Sequence, residues 1–187
     1  MPPAKLPKFR YHPDPIATGS VVKSDVVCER CGKARGFIYT GPVYAEEELV
    51  DCICPWCIAD GSAHAEFDAH FVDPDGVGNH GAWGKVPRPT VEEVASRTPG
   101  FGGWQQEHWW THCGDAAEFL GACGSAEAKA LGPEFLAAVR AETDLKDPKD
   151  DPVWEAYVAA LDRTRGPTAY AFRCRHCGKL GGYSDCH

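Results

Sequence analysis

Three Cys-x-x-Cys pairs constrain this chain more than any other feature: Cys28/Cys31, Cys54/Cys57 and Cys174/Cys177. A two-residue gap lets both sulfurs of a pair reach one ion about 2.3 Å away, and two such pairs complete a tetrahedron. The first two pairs, 22 residues apart, have zinc-ribbon spacing, and Gly32 behind Cys31 gives the backbone freedom a tight knuckle needs. Redox chemistry is the rival reading, because Cys54-Pro-Trp-Cys57 resembles a thioredoxin-type dithiol. That pair lacks a surrounding βαβ pattern, and a second pair stands upstream, so a zinc ion on Cys28, Cys31, Cys54 and Cys57 is expected.

The third pair repeats the first: Cys174-Arg-His-Cys177-Gly-Lys against Cys28-Glu-Arg-Cys31-Gly-Lys. One pair supplies two ligands, so a second zinc needs two more. His112-Cys113 and Cys186-His187 are the candidates; Cys113 is preferred to the chain end, with or without His112, and whether the second ion exists stays open. Cys52 and Cys123 have no assigned partner and are expected as small core residues.

In a compartment that keeps thiols reduced, ten cysteines need a reason other than disulfides, and metal ligation is the first candidate. The first twelve residues have no apolar stretch behind their charges, and no apolar run reaches the roughly 18–20 residues of a membrane span. A cytoplasmic protein is therefore expected. With 19 basic and 27 acidic residues the net charge is -8. Four thiolates and one Zn2+ would make it -8 - 4 + 2, about -10. Such a surface disfavours broad nucleic-acid binding, and the basic cluster of Lys23, Arg30, Lys33 and Arg35 reads first as a solvated face.

The pattern predicts an α+β fold, with zinc-knuckle β-hairpins at both ends and a helical middle packed between or against them. The whole of 1–187 reads as one domain, comprising a zinc-ribbon lobe (20–75), a helical middle (88–165) and a closing knuckle hairpin (168–187). Residues 1–20 are too proline-dense for helix. Strand, knuckle, strand is expected over 26–40, and a glycine-rich loop over 73–84. In the middle, Thr90 and Glu93 form a capping-box pattern, and a second helix is expected to follow Asp115 through Phe119 and Leu120 to Gly121. Pro133 opens a helix over 134–142. Asp151 and Pro152 open another over 153–164, with Val153, Trp154, Tyr157, Val158 and Leu161 on one face. Strand character returns over 168–173.

The segment Trp104-Gln-Gln-Glu-His-Trp-Trp-Thr-His-Cys113 carries the densest chemistry. If helical, it sets His108 and His112 on one face, four residues apart. It does not match His-Glu-x-x-His, because Glu107 precedes the first histidine. The plainer reading is an aromatic core helix whose polar groups satisfy buried backbone.

Several stretches resemble the CbrC family, bacterial proteins named for a colicin-tolerance phenotype: Phe9-Arg-Tyr-His-Pro-Asp-Pro-Ile, Gly36-Phe-Ile-Tyr-Thr-Gly-Pro-Val-Tyr44, Cys54-Pro-Trp-Cys-Ile-Ala-Asp-Gly-Ser62, and Arg97-Thr-Pro-Gly-Phe101 through Trp104-Gln-Gln-Glu107 to His112-Cys113. The likeness covers about residues 6 to 180 and departs at Ala117, where many members carry a cysteine, which speaks against an all-cysteine second site. What it implies is a phenotype, not a reaction. Two functions follow. One is a non-enzymatic zinc protein that confers toxin tolerance by binding a colicin-like nuclease, the acidic surface steering the encounter. The other is a zinc-dependent hydrolase or nucleotide-directed enzyme using residues 104–113.

Overall fold

The computed structural model describes residues 5–186, so His187 and the first four residues lie outside the described part. The fold mixes α and β. Two short strands, β1 (Val21–Lys23) and β2 (Phe37–Tyr39), pair antiparallel, and helices α1 (Pro55–Ala59) and α2 (Ser62–Phe67) complete the N-terminal lobe. Helix α3 (Arg88–Arg97) leads to a two-stranded hairpin, β3 (Thr111–His112) and β4 (Asp115–Ala116). Strand β5 (Glu118–Cys123) follows, then helices α4 (Ser125–Leu131), α5 (Pro133–Ala141) and α6 (Asp151–Ala160). Strands β6 (Thr168–Arg173) and β7 (Leu180–Asp185) complete an antiparallel sheet in the order β5-β6-β7.

The central strand β6 explains the layering. Its Ala169 and Ala171 face a helical cluster of Phe135, Val139, Val158 and Leu161, whereas Tyr170 and Phe172 face an aromatic cluster with Phe101, Trp109 and Phe119. Successive side chains of a strand alternate faces, so one strand serves two cores. In the aromatic cluster the Phe101 and Phe119 rings stack with centroids 3.9 Å apart. The N-terminal lobe has a third cluster, in which Cys28, Cys54 and Cys57 pack with Val21, Ile38, Ile53 and Ile58.

Several expected elements differ. The helix expected after Asp115 is strand β5, whose buried Phe119, Gly121 and Cys123 recur with period two rather than 3.6. Gly121, at φ +129°, sits where the β5–β6 register shifts, a bulge that a side chain would hinder. The Thr90 capping box does not form: α3 begins at Arg88 behind Pro87, without a side-chain cap. Helix α6 ends at Ala160, and Val153, expected on its apolar face, is 55% exposed. Residues Val26 and Val27 are exposed coil; the strand expected there lies earlier, at Val21–Lys23. Residues 104–110 are irregular and run into β3, so the helical pairing of His108 with His112 is overturned.

The lead segment carries a buried histidine. His12 is fully buried, with its ring edge-on to Phe119, Nδ1 2.7 Å from the Pro99 carbonyl and Nε2 2.7 Å from Thr18 Oγ1. Burial drives its pKa down to about 4 from 6.5, so the ring is neutral in the fold and gains a proton on unfolding in mild acid. The unfolded chain then binds more protons, and stability falls as pH drops from about 6.5 toward 4, by about 3 kcal/mol over that span. His12→Gln should therefore show a shallower loss of stability between neutral and mildly acidic pH, measured by denaturant unfolding at each pH. Parallel curves for parent and variant would contradict this.

Candidate metal centres

Each Cys-x-x-Cys-Gly-Lys repeat folds the same way. Gly32 N–H donates to the Cys28 carbonyl at 2.8 Å and Cys28 N–H to the Lys33 carbonyl at 3.1 Å. In the second repeat, Gly178 N–H donates to the Cys174 carbonyl at 3.0 Å and Cys174 N–H to the Lys179 carbonyl at 2.8 Å. Both glycines have positive φ, +63° and +76°, which lets the chain turn back without a Cβ clash and aims both sulfurs to one side.

At the first centre, Cys54 sits at the N-cap of α1, where Pro55 takes the first helical position and one turn brings Cys57 beside it. The sulfurs of Cys28 and Cys57 are 3.9 Å apart, those of Cys31 and Cys54 3.9 Å, and those of Cys54 and Cys57 3.6 Å. Four sulfurs about 2.3 Å from a tetrahedrally bound ion would lie about 3.8 Å from one another, so the set fits. The Cys28 thiol is held well below its ordinary pKa, first by the hydrogen bond from the Cys54 side chain and then by backbone N–H groups of Cys54, Cys31 and Arg30. Cys54 is pushed up by its hydrogen bond to Cys28 and by burial, and Cys57 by burial. The group by itself thus favours one thiolate, at Cys28, and a metal would displace the protons of Cys54 and Cys57.

The second group joins His112, Cys113, Cys174 and Cys177. The β3–β4 turn presents the first two, with Cys113 itself at φ +53° and Gly114 at +72°. Cys113 and Cys177 sulfurs are 3.9 Å apart, and His112 Nδ1 lies 3.2 Å from the first and 3.5 Å from the second. The His112 ring stacks on Trp110, with centroids 5.2 Å apart and planes at 11°. In each group the four ligand atoms lie within 4.8 Å of one another, so each can hold a metal ion.

A carboxylate that the sequence reading missed locks the second group together. Asp115 Oδ2 accepts from Arg175 at 2.7 Å and meets His176 Nε2 at 3.0 Å, while Oδ1 accepts from the Tyr11 hydroxyl and Ala116 N–H, each at 2.9 Å. Burial alone would raise the Asp115 pKa, but those hydrogen bonds and the Arg175 charge outweigh it and hold the carboxyl below its ordinary value. The two residues between Cys174 and Cys177 therefore fasten that knuckle to the hairpin carrying His112 and Cys113. The available signal was their charge: Arg175 and His176 inside the repeat are natural partners for a carboxylate.

The remaining expected residues fall elsewhere. Cys123 is buried, Cys52 is half-buried, and Cys186 is exposed. Glu107 is 3% exposed; it accepts from the Tyr44 hydroxyl at 2.5 Å and from Asp73 N–H at 3.3 Å, binding the N-terminal lobe to the aromatic core. The His108 ring stacks on His80 with centroids 4.0 Å apart, and the His108 backbone N–H donates to the Tyr183 hydroxyl at 3.0 Å. Of the basic cluster, Arg30 pairs with Glu66 at 3.4 Å and Arg35 lies over the Trp56 ring.

The model of an uncharacterised protein family, UPF0167, matches residues 6–186. A UPF0167 protein of Mycobacterium bovis is 51% identical over 188 residues, covering 98% of this chain and 95% of the relative. One from Pseudomonas aeruginosa is 45% identical over 175 residues, covering 93% of each. No solved structure matches the chain. The CbrC label suggested by the sequence motifs is corrected on this finding: family model and relatives alike carry the UPF0167 name.

Proposed function

The chain belongs to the UPF0167 family, and from its own geometry we propose that it is a two-zinc, non-enzymatic protein that works by binding another protein. One observation carries the reading: each metal group supplies four converging protein ligands. A catalytic zinc keeps a position for water or substrate, whereas four protein ligands close the tetrahedron. Zinc is favoured over other ions by the donors, four thiolates in one group and three with an imidazole in the other.

The enzyme alternative on residues 104–113 has little support. Glu107 is engaged by Tyr44 and Asp73, His108 is stacked on His80, and His112 belongs to the second metal group. The toxin nuclease expected as partner rested on the family name now replaced, so the partner is proposed by chemistry alone, as a protein presenting a basic surface. Glu46, Glu47 and Glu48 are exposed, and no ion pair engages them among the described residues. Two of them line a cavity of about 780 Å³ together with Glu66 and Asp68. The other acidic run is partly neutralised, Asp147 by Lys149 and Asp151 by Arg140.

Cobalt substitution tests the closed sites. Two tetrahedral cobalt ions with thiolate charge-transfer bands should form, and their spectrum should not respond to azide or free imidazole. A band shift on adding either would reveal an open position and restore the catalytic reading.

A further inference from the structure

The two metal groups differ in access to solvent. Around the first, Cys28 and Cys54 are fully buried, Cys57 is 2% exposed and Cys31 is half-buried against the N-terminal core, so none of the four is exposed. In the second only Cys174 is buried; Cys113 and Cys177 are exposed, with sulfurs 3.9 Å apart. Oxidation of cysteine follows thiolate character and access, and a metal-bound thiolate supplies the first in both groups. Access alone separates them.

We propose that Cys113 and Cys177 are an oxidation site: a peroxide joins them in a disulfide and the second zinc leaves, while the first zinc stays. The proposal rests on the two-zinc reading above. One exposed thiolate attacks the peroxide O–O bond, forming a sulfenic acid and releasing hydroxide. The second thiolate attacks that sulfur, the S–S bond forms, and a second hydroxide departs. The two sulfurs together lose two electrons, the peroxide gains them, and two protons from solvent turn both hydroxides into water. His112 and Cys174 are then the only ligands left of the four, too few to hold the ion, which departs hydrated.

The fold suits a reversible step. The sulfurs need to close only from 3.9 Å to the roughly 2.05 Å of a disulfide. Asp115, held by Arg175, His176 and Tyr11, keeps hairpin and knuckle together independently of the ion. The partners therefore remain in place for reduction and reloading.

The test uses the zinc-loaded full chain. Zinc per chain is counted, hydrogen peroxide is added in modest excess, released zinc is read with a colorimetric chelator, and disulfides are mapped by peptide mass spectrometry. The expected result is two zinc ions beforehand, loss of one, a Cys113–Cys177 disulfide, intact thiols at Cys28, Cys31, Cys54 and Cys57, and recovery on adding a thiol reductant and zinc. Cys186→Ser, which changes an exposed cysteine outside both groups, should behave as the parent. Fewer than two zinc ions before peroxide would overturn the two-zinc reading and this proposal with it. Two ions of which none or both leave, a Cys174–Cys177 disulfide, or release abolished in Cys186→Ser would overturn the oxidation site alone.

Discussion

Cys54→Ser should release one zinc ion per chain and unfold the N-terminal lobe. Cys54 is fully buried and holds the metal group together through three contacts with its other members. Its sulfur lies 3.6 Å from that of Cys57, its N–H donates to the Cys28 sulfur at 3.3 Å, and its carbonyl accepts from Cys57 N–H at 3.1 Å. The neighbouring core is small, built from β1, β2 and two helices of five and six residues, elements too short to persist alone. Structural zinc in small sites contributes about 10–16 kcal/mol, against about 5–15 kcal/mol for the net stability of a whole domain. Serine is a poor substitute for thiolate, so the loss is not absorbed elsewhere. Limited proteolysis should cut the variant first within residues 20–70, with the β5–β6–β7 body more resistant. A variant that keeps both zinc ions and the parent's protease resistance would show that Cys54 is not a ligand.

Gly181→Ala should disturb the second centre from a distance. A Cβ on Gly181 would lie 2.2 Å from Cε2 and Cζ2 of Trp110, whose indole is 6% exposed and has nowhere to retreat. Overpacking of this kind costs about 1–3 kcal/mol. Because His112 stacks on Trp110, moving the indole moves the imidazole. Any strain relieved when the ion departs weakens zinc binding about tenfold for each 1.4 kcal/mol. Chelator competition should thus extract the second zinc more readily from the variant and leave the first unchanged. If thermal stability falls while both zinc affinities match the parent, Trp110 does not support His112.

How much of this was legible in the sequence depends on the range of the interactions involved. The knuckles are local objects: two-residue gaps and a glycine at fixed offset determine their hydrogen bonds, and the repeat at Cys174 announced itself by copying Cys28. The closing hairpin was legible for the same reason, since Thr168–Arg173 has strand character throughout. The middle was misread where local and tertiary signals conflict. A helix was expected to follow Asp115, but its carboxylate is taken by Tyr11, Arg175 and His176, 104, 60 and 61 residues away. With that contact invisible, the stretch through Phe119 and Leu120 to Gly121 read as a helix, although Phe119, Gly121 and Cys123 alternate as a strand. Segment 104–113 failed likewise: Glu107 is drawn to Tyr44 and Asp73, and the chain follows those contacts rather than helical period. His112 stood in the sequence beside Cys113, yet only folding decides that it joins Cys113, Cys174 and Cys177.

Zinc content combined with X-ray absorption at the zinc edge on the purified protein would decide whether the chain holds two closed zinc centres of different make-up. The expected result is two zinc ions per chain sharing seven sulfur ligands and one nitrogen, with sulfur at about 2.3 Å and no coordinated water. A single ion in an all-sulfur shell would contradict the second centre, and an oxygen ligand in either shell would contradict closure.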